Sequence, residues 1–441
     1  MVKKKFTDYD MRDDFSFPVY VGYELIEING IKGIDPDNRY AGLLVRMNGE
    51  TYLELSDNPT KKDYDSSESI YNGSDMIDTQ EDSHDWYAST WDGSLQFVFH
   101  KYFKMDSSFH LANDHFGGDI SKWIVSDYSI VKQHVLLLGV EQAKLTLDHI
   151  YSWFGIFRPE KEWKDMESLK FSDLTFENVK FSLTVGAEGK ERHPMHFLEK
   201  TAYMFVRLNF DEIQTREFTY RLAVAVRDLF QILTGKAVGI SRIVLNSDQS
   251  YNRIKENLSP RNEEENWLLN QSFLPDYVEE KISGFAIPYQ QISDRFQEIL
   301  MQYFHDDKLQ KLVESYLIVD QFRVPVDTQI ITLVSAIESY YRDARYSEGG
   351  KKIKCAFKKL ERLTALLDDP NKIIKGSTHG NITTTSDLLK EMIDARDYVI
   401  HGDKADKYTS EAELVPDLIS FKRLIRQAIV NIVSLQVKSN N

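Results

Sequence analysis

The chain has 441 residues, with 54 basic and 69 acidic side chains and a formal net charge of −15. That length is enough for two or three domains, and the 42 % of hydrophobic and 12 % of aromatic residues are ample for packed globular cores. The single cysteine, Cys355, excludes both an intrachain disulfide and a cysteine-rich zinc site.

The sequence carries no sign of export or membrane insertion. Its first residues are charged and are not followed by an apolar stretch, which is unlike a secretory signal. No window approaches the roughly 18 consecutive apolar residues that a membrane-spanning helix needs. We therefore expect a soluble cytoplasmic protein with no membrane partner.

The N-terminal part, residues 1–287, predicts a β-rich domain. Residues 17–28 are aromatic and β-branched, and residues 43–55 contain Asn48-Gly49 between two apolar runs, a strong hairpin signal. Further strands are predicted at residues 95–103, 123–131, 179–185, 202–208 and 240–245.

Three other segments of this part are not predicted as strands. Residues 57–85 are acidic, serine-rich and poor in apolar side chains, which predicts a long mobile loop. Residues 215–234 carry one apolar stripe at helical spacing and end before Gly235, so they predict a helix. Residues 246–275 are mostly polar and predict a loop.

From about residue 292 the apolar period changes to 3.6, which predicts an all-α bundle over residues 288–441. We expect Asp327 and Ser386 to cap two of its helices. The predicted helices cover residues 293–304, 309–322, 328–346, 352–367, 386–401 and 410–437. The fold class is therefore α+β multidomain, a β-rich domain followed by a helical bundle.

The negative charge is concentrated in the first three quarters of the chain. Residues 325–441 contain 18 basic and 16 acidic side chains, whereas residues 1–324 contain 36 and 53. The bundle also has a basic run, and four of its lysines are candidates for contact with RNA phosphates. They are Lys351, Lys352, Lys354 and Lys358. A solvated helix face is the alternative interpretation of this run.

Arg396 lies in the middle of an apolar helical stripe formed by residues 389–400. Because a guanidinium keeps its charge, a position of this kind needs an anion, either a protein carboxylate or a ligand phosphate. Glu338 borders another apolar stripe, so the two side chains are candidates to meet across the bundle. That contact fits a structural ion pair as well as a binding site.

His401 lies five residues beyond Arg396, about 140° round an ideal helix. Gly402 predicts that the helix ends there, which would let His401 turn towards Arg396. A histidine at this place also interacts favourably with the helix dipole, so a purely local role is the alternative.

The segment from Arg396 to His401, RDYVIH, resembles the R-x4-6-H motif of HEPN domains, which are helical bundles found in many prokaryotic defence nucleases. The motif closes a late helix and follows an Ala-Ile-Glu segment that ends at Glu338. The order of the whole chain, β-rich and then helical, is similar to that of the ApeA-like anti-phage proteins, which place an ApeA N-terminal domain before an Apea-like HEPN domain.

The resemblance implies a metal-independent endoribonuclease of the abortive-infection type. Arg396 and His401 would be catalytic, no cofactor or metal would be needed, and attack by the 2′-OH would leave a 2′,3′-cyclic phosphate and a 5′-OH. It also implies a homodimer or higher homo-oligomer formed through the bundle, a phage-derived trigger and an RNA substrate, for which transfer RNA is one candidate. Supporting roles are expected for Asp397, Glu338, Tyr398 and Tyr408.

Two other functions remain open at this point. A HEPN module without catalytic activity would bind nucleic acid or a partner protein. A purely structural bundle would use Arg396 only as one half of an ion pair.

Overall fold

The computed structural model describes fifteen segments of the chain. They are residues 4–28, 31–56, 70–72, 75–77, 85–108, 120–134, 139–155, 168–192, 199–247, 263–271, 273–276, 284–342, 353–374, 382–402 and 411–434. The protein is α+β, with a β-rich N-terminal region and a helical C-terminal region.

The β-rich region is formed by antiparallel strands, most of which belong to one large sheet. The strands are β1 Phe15–Gly22, β2 Leu25–Ile28, β3 Ile31–Ile34, β4 Tyr40–Met47, β5 Glu50–Leu55, β6 Ile70–Asn72, β7 Asp75–Ile77, β8 Trp86–Thr90, β9 Gln96–Ser108, β10 Ile120–Val131, β11 Val140–Leu147, β12 Leu169–Phe176, β13 Val179–Arg192, β14 Glu199–Gln214, β15 Ile240–Ser247 and β16 Glu263–Leu269. The pairs β2–β3 and β6–β7 form separate two-stranded sheets.

Six strands of the large sheet close into a barrel. Their order is β10-β5-β4-β1-β8-β9, and β9 pairs back with β10. Side chains alternate along each strand, so one side of every strand fills the barrel, where Trp86, Phe97 and Leu44 are fully buried. The β4–β5 turn has positive φ at both Asn48 and Gly49, as a tight two-residue hairpin requires.

The remaining six strands extend the sheet from β10 in the order β16-β15-β11-β14-β13-β12. One edge of β10 is divided, because residues 121–124 pair with β5 and residues 127–131 pair with β16. The strand β10 therefore belongs to both the barrel and the open sheet.

In the described part of the chain, two α-helices lie among these strands and seven α-helices follow them. They are α1 Ile150–Phe154, α2 Arg216–Thr234, α3 Phe296–His305, α4 Asp307–Gln321, α5 Val326–Tyr340, α6 Ala356–Thr364, α7 Pro370–Ile374, α8 Thr385–His401 and α9 Glu411–Val433. The helix α5 packs against α4, α6, α8 and α9, so it is the central helix of the C-terminal region.

The C-terminal helices pack directly onto the open sheet. α3 contacts β12, and Phe296 of α3 contacts the rings of Phe171 and Trp153. The Trp153 indole donates a hydrogen bond to the carbonyl oxygen of Ile287, with 2.7 Å between the atoms. The buried apolar side chains of the two regions consequently form one continuous core.

Several predicted boundaries were wrong. Residues 246–275 were predicted as a loop, yet they contain β16, which is held by β10 and β15 and buries Trp267. The segment 57–85 contains the short strands β6 and β7, while its other residues except Asp85 lie outside the described part. The short helix α7 was not predicted, and it begins at Pro370, because proline is favoured at a first helical position.

In the C-terminal region, α5 ends at Tyr340, earlier than predicted, and it begins after Pro325, so that Asp327 lies in its first turn and is not its cap. None of the helices in the described segments combines the length and the apolar character needed to cross a membrane.

Candidate functional site

The site is built on α8, whose two ends are fixed by local interactions. The hydroxyl of Thr384 accepts a hydrogen bond from the backbone N–H of Asp387 at 3.2 Å, so Thr384 is the N-cap. The prediction that Ser386 is the cap was therefore wrong, and Ser386 lies inside the helix. At the other end, Gly402 has a φ of 70° and its N–H bonds to the carbonyl oxygen of Tyr398.

Arg396 lies beside the buried face of α8 and is held by two carboxylates. Its Nη2 atom is 2.8 Å from Oε2 of Glu338 on α5, and its Nη1 atom is 3.0 Å from Oδ1 of Asp397. The Arg396 side chain is 14 % exposed, and those of Glu338 and Asp397 are each 24 % exposed. The Nε atom is buried and has no hydrogen-bond partner within the described segments. The Nε–H donor of the Arg396 guanidinium is therefore unused within these segments.

Lys359 of α6 also reaches this site, which the sequence did not indicate. Its side chain is buried, and its Nζ donates a hydrogen bond to the main-chain carbonyl of Glu338 at 3.2 Å. The basic run suggested a solvated face, but Lys359 shares the buried stripe of α6 with Leu360 and Leu363. In the sequence, the four-residue spacing between Lys359 and Leu363 is the feature that indicates a buried position for Lys359. Arg396 therefore binds the Glu338 carboxylate, and Lys359 binds the main-chain carbonyl of the same residue.

His401 is the last residue of α8 and is exposed to solvent. Within the described part of the chain it forms no hydrogen bond or ion pair, and none joins it to Arg396. Because the helix includes His401, the five-residue step separates the two side chains by about 140° around the axis. One chain thus presents the guanidinium and the imidazole from different sides of the same helix end.

The last turn of α8 also exposes apolar surface. Val399 is 37 % exposed and Ile400 is 47 % exposed, although Val399 continues the stripe that buries Leu388, Met392 and Ala395 further back. The helix therefore extends about one turn beyond the core that its apolar face covers. Val415 and Ile419, four residues apart on α9, are exposed as well.

The other predicted site residues are less closely grouped. Tyr398 is half-buried on α8, and Lys354 and Lys358 are exposed at the start of α6. Lys351, Lys352 and Tyr408 lie outside the described residues, so the structure does not place them. Among the residues that it does describe, no three His, Cys, Asp or Glu side chains are arranged to hold a metal ion.

Comparison of the chain with protein-family models, with curated proteins and with solved structures finds no match in any of the three. The interpretation of the site consequently depends on its residues alone.

These residues have a defined chemical capacity. A guanidinium offers planar paired donors to phosphoryl oxygens, and an imidazole can act as a general acid or base. A phosphate that approaches Arg396 must compete with Glu338 and Asp397 for the same donors. The two carboxylates therefore hold the guanidinium in place and also limit how strongly it attracts an anion.

Proposed function

We propose that the chain is a metal-independent endoribonuclease of the HEPN type, with Arg396 and His401 as its catalytic residues. The observation that carries the proposal is the placement of Arg396. Its guanidinium is held by carboxylates from two helices, close to a helix end at which His401 is exposed. The proposed reaction uses no cofactor.

In the proposed reaction the 2′-OH of RNA attacks the adjacent phosphorus while the bond to the 5′-oxygen breaks. His401 takes the proton of the 2′-OH or supplies a proton to the leaving 5′-oxygen. Arg396 binds the phosphoryl oxygens and stabilises the charge that develops on them in the transition state. The products are a 2′,3′-cyclic phosphate and a 5′-OH.

The supporting residues act on Arg396. Glu338 and Asp397 orient the guanidinium, and Lys359 fixes the end of α5 through the Glu338 carbonyl. Lys354 and Lys358 would contact RNA phosphates further from the reacting atoms, and Tyr398 would stack on a base or donate a hydrogen bond.

A homodimer follows from the same proposal. The exposed Val399 and Ile400 flank His401, and a second copy placed on this apolar turn would bury it. Since one helix presents Arg396 and His401 about 140° apart, a cleft between two copies would combine Arg396 of one chain with His401 of the other. Each chain supplies half of each site.

The biological role that fits this activity is anti-phage defence by abortive infection. The nuclease would be restrained until a phage-derived signal arrives and would then cut host RNA, with transfer RNA as the first candidate. This part of the proposal comes from the resemblance of RDYVIH to the HEPN motif and from the order of the two regions.

The direct experiment is cleavage of total RNA by the purified chain in the presence of EDTA. We expect cleavage by the wild type and a loss of at least about 100-fold in Arg396→Ala and in His401→Ala, the usual scale for removing a general acid–base or a charge stabiliser. Lys390→Gln is the matched control, because it removes an exposed charge from the same helix. Equal cleavage by all four proteins would refute the proposal.

Mixing the two inactive variants tests whether the site is shared. If Arg396 and His401 act in trans, a heterodimer of one Arg396→Ala chain and one His401→Ala chain retains one of its two sites. Because half of the dimers in an equimolar mixture are such heterodimers, the mixture should recover about a quarter of wild-type activity. No recovery after subunit exchange would mean that both residues act within one chain.

A structural ion pair is the second candidate, and one observation favours it: two carboxylates already balance the charge of Arg396. Under that alternative, Arg396→Ala lowers stability, whereas His401→Ala leaves both stability and any RNA cleavage unchanged.

A further inference from the structure

A cleft of about 470 Å³ lies where the C-terminal helices meet the segment that leaves the β-rich region. We call it the junction cleft. It is lined by Arg423, Arg426 and Gln427 of α9, by Gln291, and by an apolar part that includes Ile373 and Val430. Its volume is within the range of about 300–1,000 Å³ that is usual for small-molecule sites. No Asp or Glu is among the described residues that line it.

The guanidinium of Arg426 is held in place at this cleft. Its Nη2 donates to the carbonyl oxygen of Gly235 at 3.0 Å, and the described part of the chain gives Arg426 no carboxylate partner. Gly235 closes α2 with a φ of 69°, and a Cβ at that position would stand 2.5 Å from Nη2 of Arg426. The absence of a side chain at Gly235 therefore admits the guanidinium, and the other donors of the fork remain for a ligand.

The charge at this cleft is opposite to that of the chain, which carries a net −15. A protein of that charge repels anions in general, so two arginines in one cleft make a local exception. Arg426 also lines a second cavity of about 280 Å³, but that cavity includes Asp320 and is less suited to an anion.

We propose that the junction cleft binds a nucleoside phosphate. The free donors of the Arg426 fork would take phosphoryl oxygens, whose geometry they match, and the positive charge of Arg423 would attract the anion. Gln291 and Gln427 would supply donors and acceptors for the base or sugar, and Ile373 and Val430 would give the base an apolar surface. None of the described residues that line the cleft belongs to the candidate active site.

Calorimetric titration of the full chain with ATP, with tripolyphosphate and with adenosine tests this assignment. We expect ATP to bind more tightly than tripolyphosphate, and adenosine to bind least. Arg426→Gln should weaken ATP binding at least about tenfold, which corresponds to the loss of one charged hydrogen bond. Arg423→Gln should weaken it in the same direction.

Two controls make the result specific. Lys311→Gln removes an exposed charge on α4 and should bind ATP as the wild type does, as should His401→Ala. The proposal is overturned if the wild type does not bind ATP, if tripolyphosphate binds equally well, or if Arg426→Gln binds no more weakly than Lys311→Gln. A loss of binding in His401→Ala would place ATP at the candidate active site and would also overturn it.

Discussion

At the scale of single residues, His134 is a histidine of the described segments whose surroundings disfavour its charged form. His134 is 2 % exposed, its ring lies 5.6 Å from that of Tyr87, and neither ring nitrogen has a partner in the described segments. Burial lowers the pKa of His134 from 6.5 to about 4. The neutral imidazole is the form that the fold accommodates.

This lowered pKa predicts sensitivity to acid. Between pH 6.5 and 4 the unfolded chain binds the proton that folded His134 refuses, so the stabilising effect is complete above pH 6.5 and is lost as the pH falls towards 4. The loss reaches about 3 kcal/mol. From pH 7 to pH 4.5 the urea concentration at the midpoint of unfolding should fall less for His134→Phe than for the wild type.

His401→Ala is the control for this measurement, since His401 is exposed. It should lose stability with falling pH as the wild type does. The same acid dependence in His134→Phe and the wild type would contradict the account of the buried imidazole.

At the scale of elements, the start of α2 is tied to the sheet by a buried charged network. Arg216 pairs with Glu265 of β16, and its Nη1 lies 2.8 Å from Nε2 of His100 on β9. Because a guanidinium only donates, Nε2 accepts and the ring proton is on Nδ1, which lies 3.0 Å from Oδ1 of Asp85. Ser129 of β10 donates to Glu265 at 3.0 Å.

Removing the cation from this network should be costly. Arg216→Met leaves Glu265, whose side chain is 3 % exposed, without its cation and should lower the free energy of unfolding by about 3–5 kcal/mol. In the double variant with Glu265→Gln most of that loss should be recovered, because no buried charge then lacks a partner. Chemical denaturation of the single and double variants measures the coupling.

Arg221→Met is the matched control, because Arg221 lies on the same helix and pairs with Glu177 and Glu217 at the surface. Exposed pairs contribute about 0–1 kcal/mol. A loss in Arg216→Met no larger than that in Arg221→Met would show that the network does not anchor α2.

The elements that could be predicted from the sequence are those specified by neighbouring residues. The β4–β5 hairpin depends on Asn48-Gly49, and α2 depends on one apolar stripe and Gly235. The strand β16 could not be predicted, because its run of glutamates disfavours a strand and only pairing with β10 and β15 stabilises it.

In the candidate site, too, the features specified by neighbouring residues could be predicted and the others could not. Glu338 and Arg396 each interrupt an apolar stripe, so their proximity could be inferred from helical spacing. Lys359 was not predicted at the site, because a run of lysines does not indicate which of them faces the core. The direction of His401 depends on whether the helix ends before or after it, and a single glycine in the sequence does not determine that.

At the scale of the assembly, the proposed shared site needs two copies of the chain. Ile400→Glu would place a charge on the apolar last turn of α8 and should convert a dimer into a monomer at micromolar concentration. Sedimentation velocity should show the change, and RNA cleavage should fall with it. Met301→Glu on α3, which is similarly exposed at 45 %, should leave the assembly unchanged.

A monomeric wild type that cleaves RNA would contradict the shared site while leaving the chemistry intact. A dimer that persists in Ile400→Glu would place the interface elsewhere.

If Arg396 and His401 cleave RNA through its own 2′-OH, each cut leaves an end with a 2′,3′-cyclic phosphate. The most direct test is to express the wild type and His401→Ala at equal levels and to sequence cellular RNA ends that carry a 2′,3′-cyclic phosphate. We predict new ends at defined positions in cells with the wild type and none above background in cells with His401→Ala. The same set of ends in both, or cleavage that leaves a 3′-OH, would contradict the account.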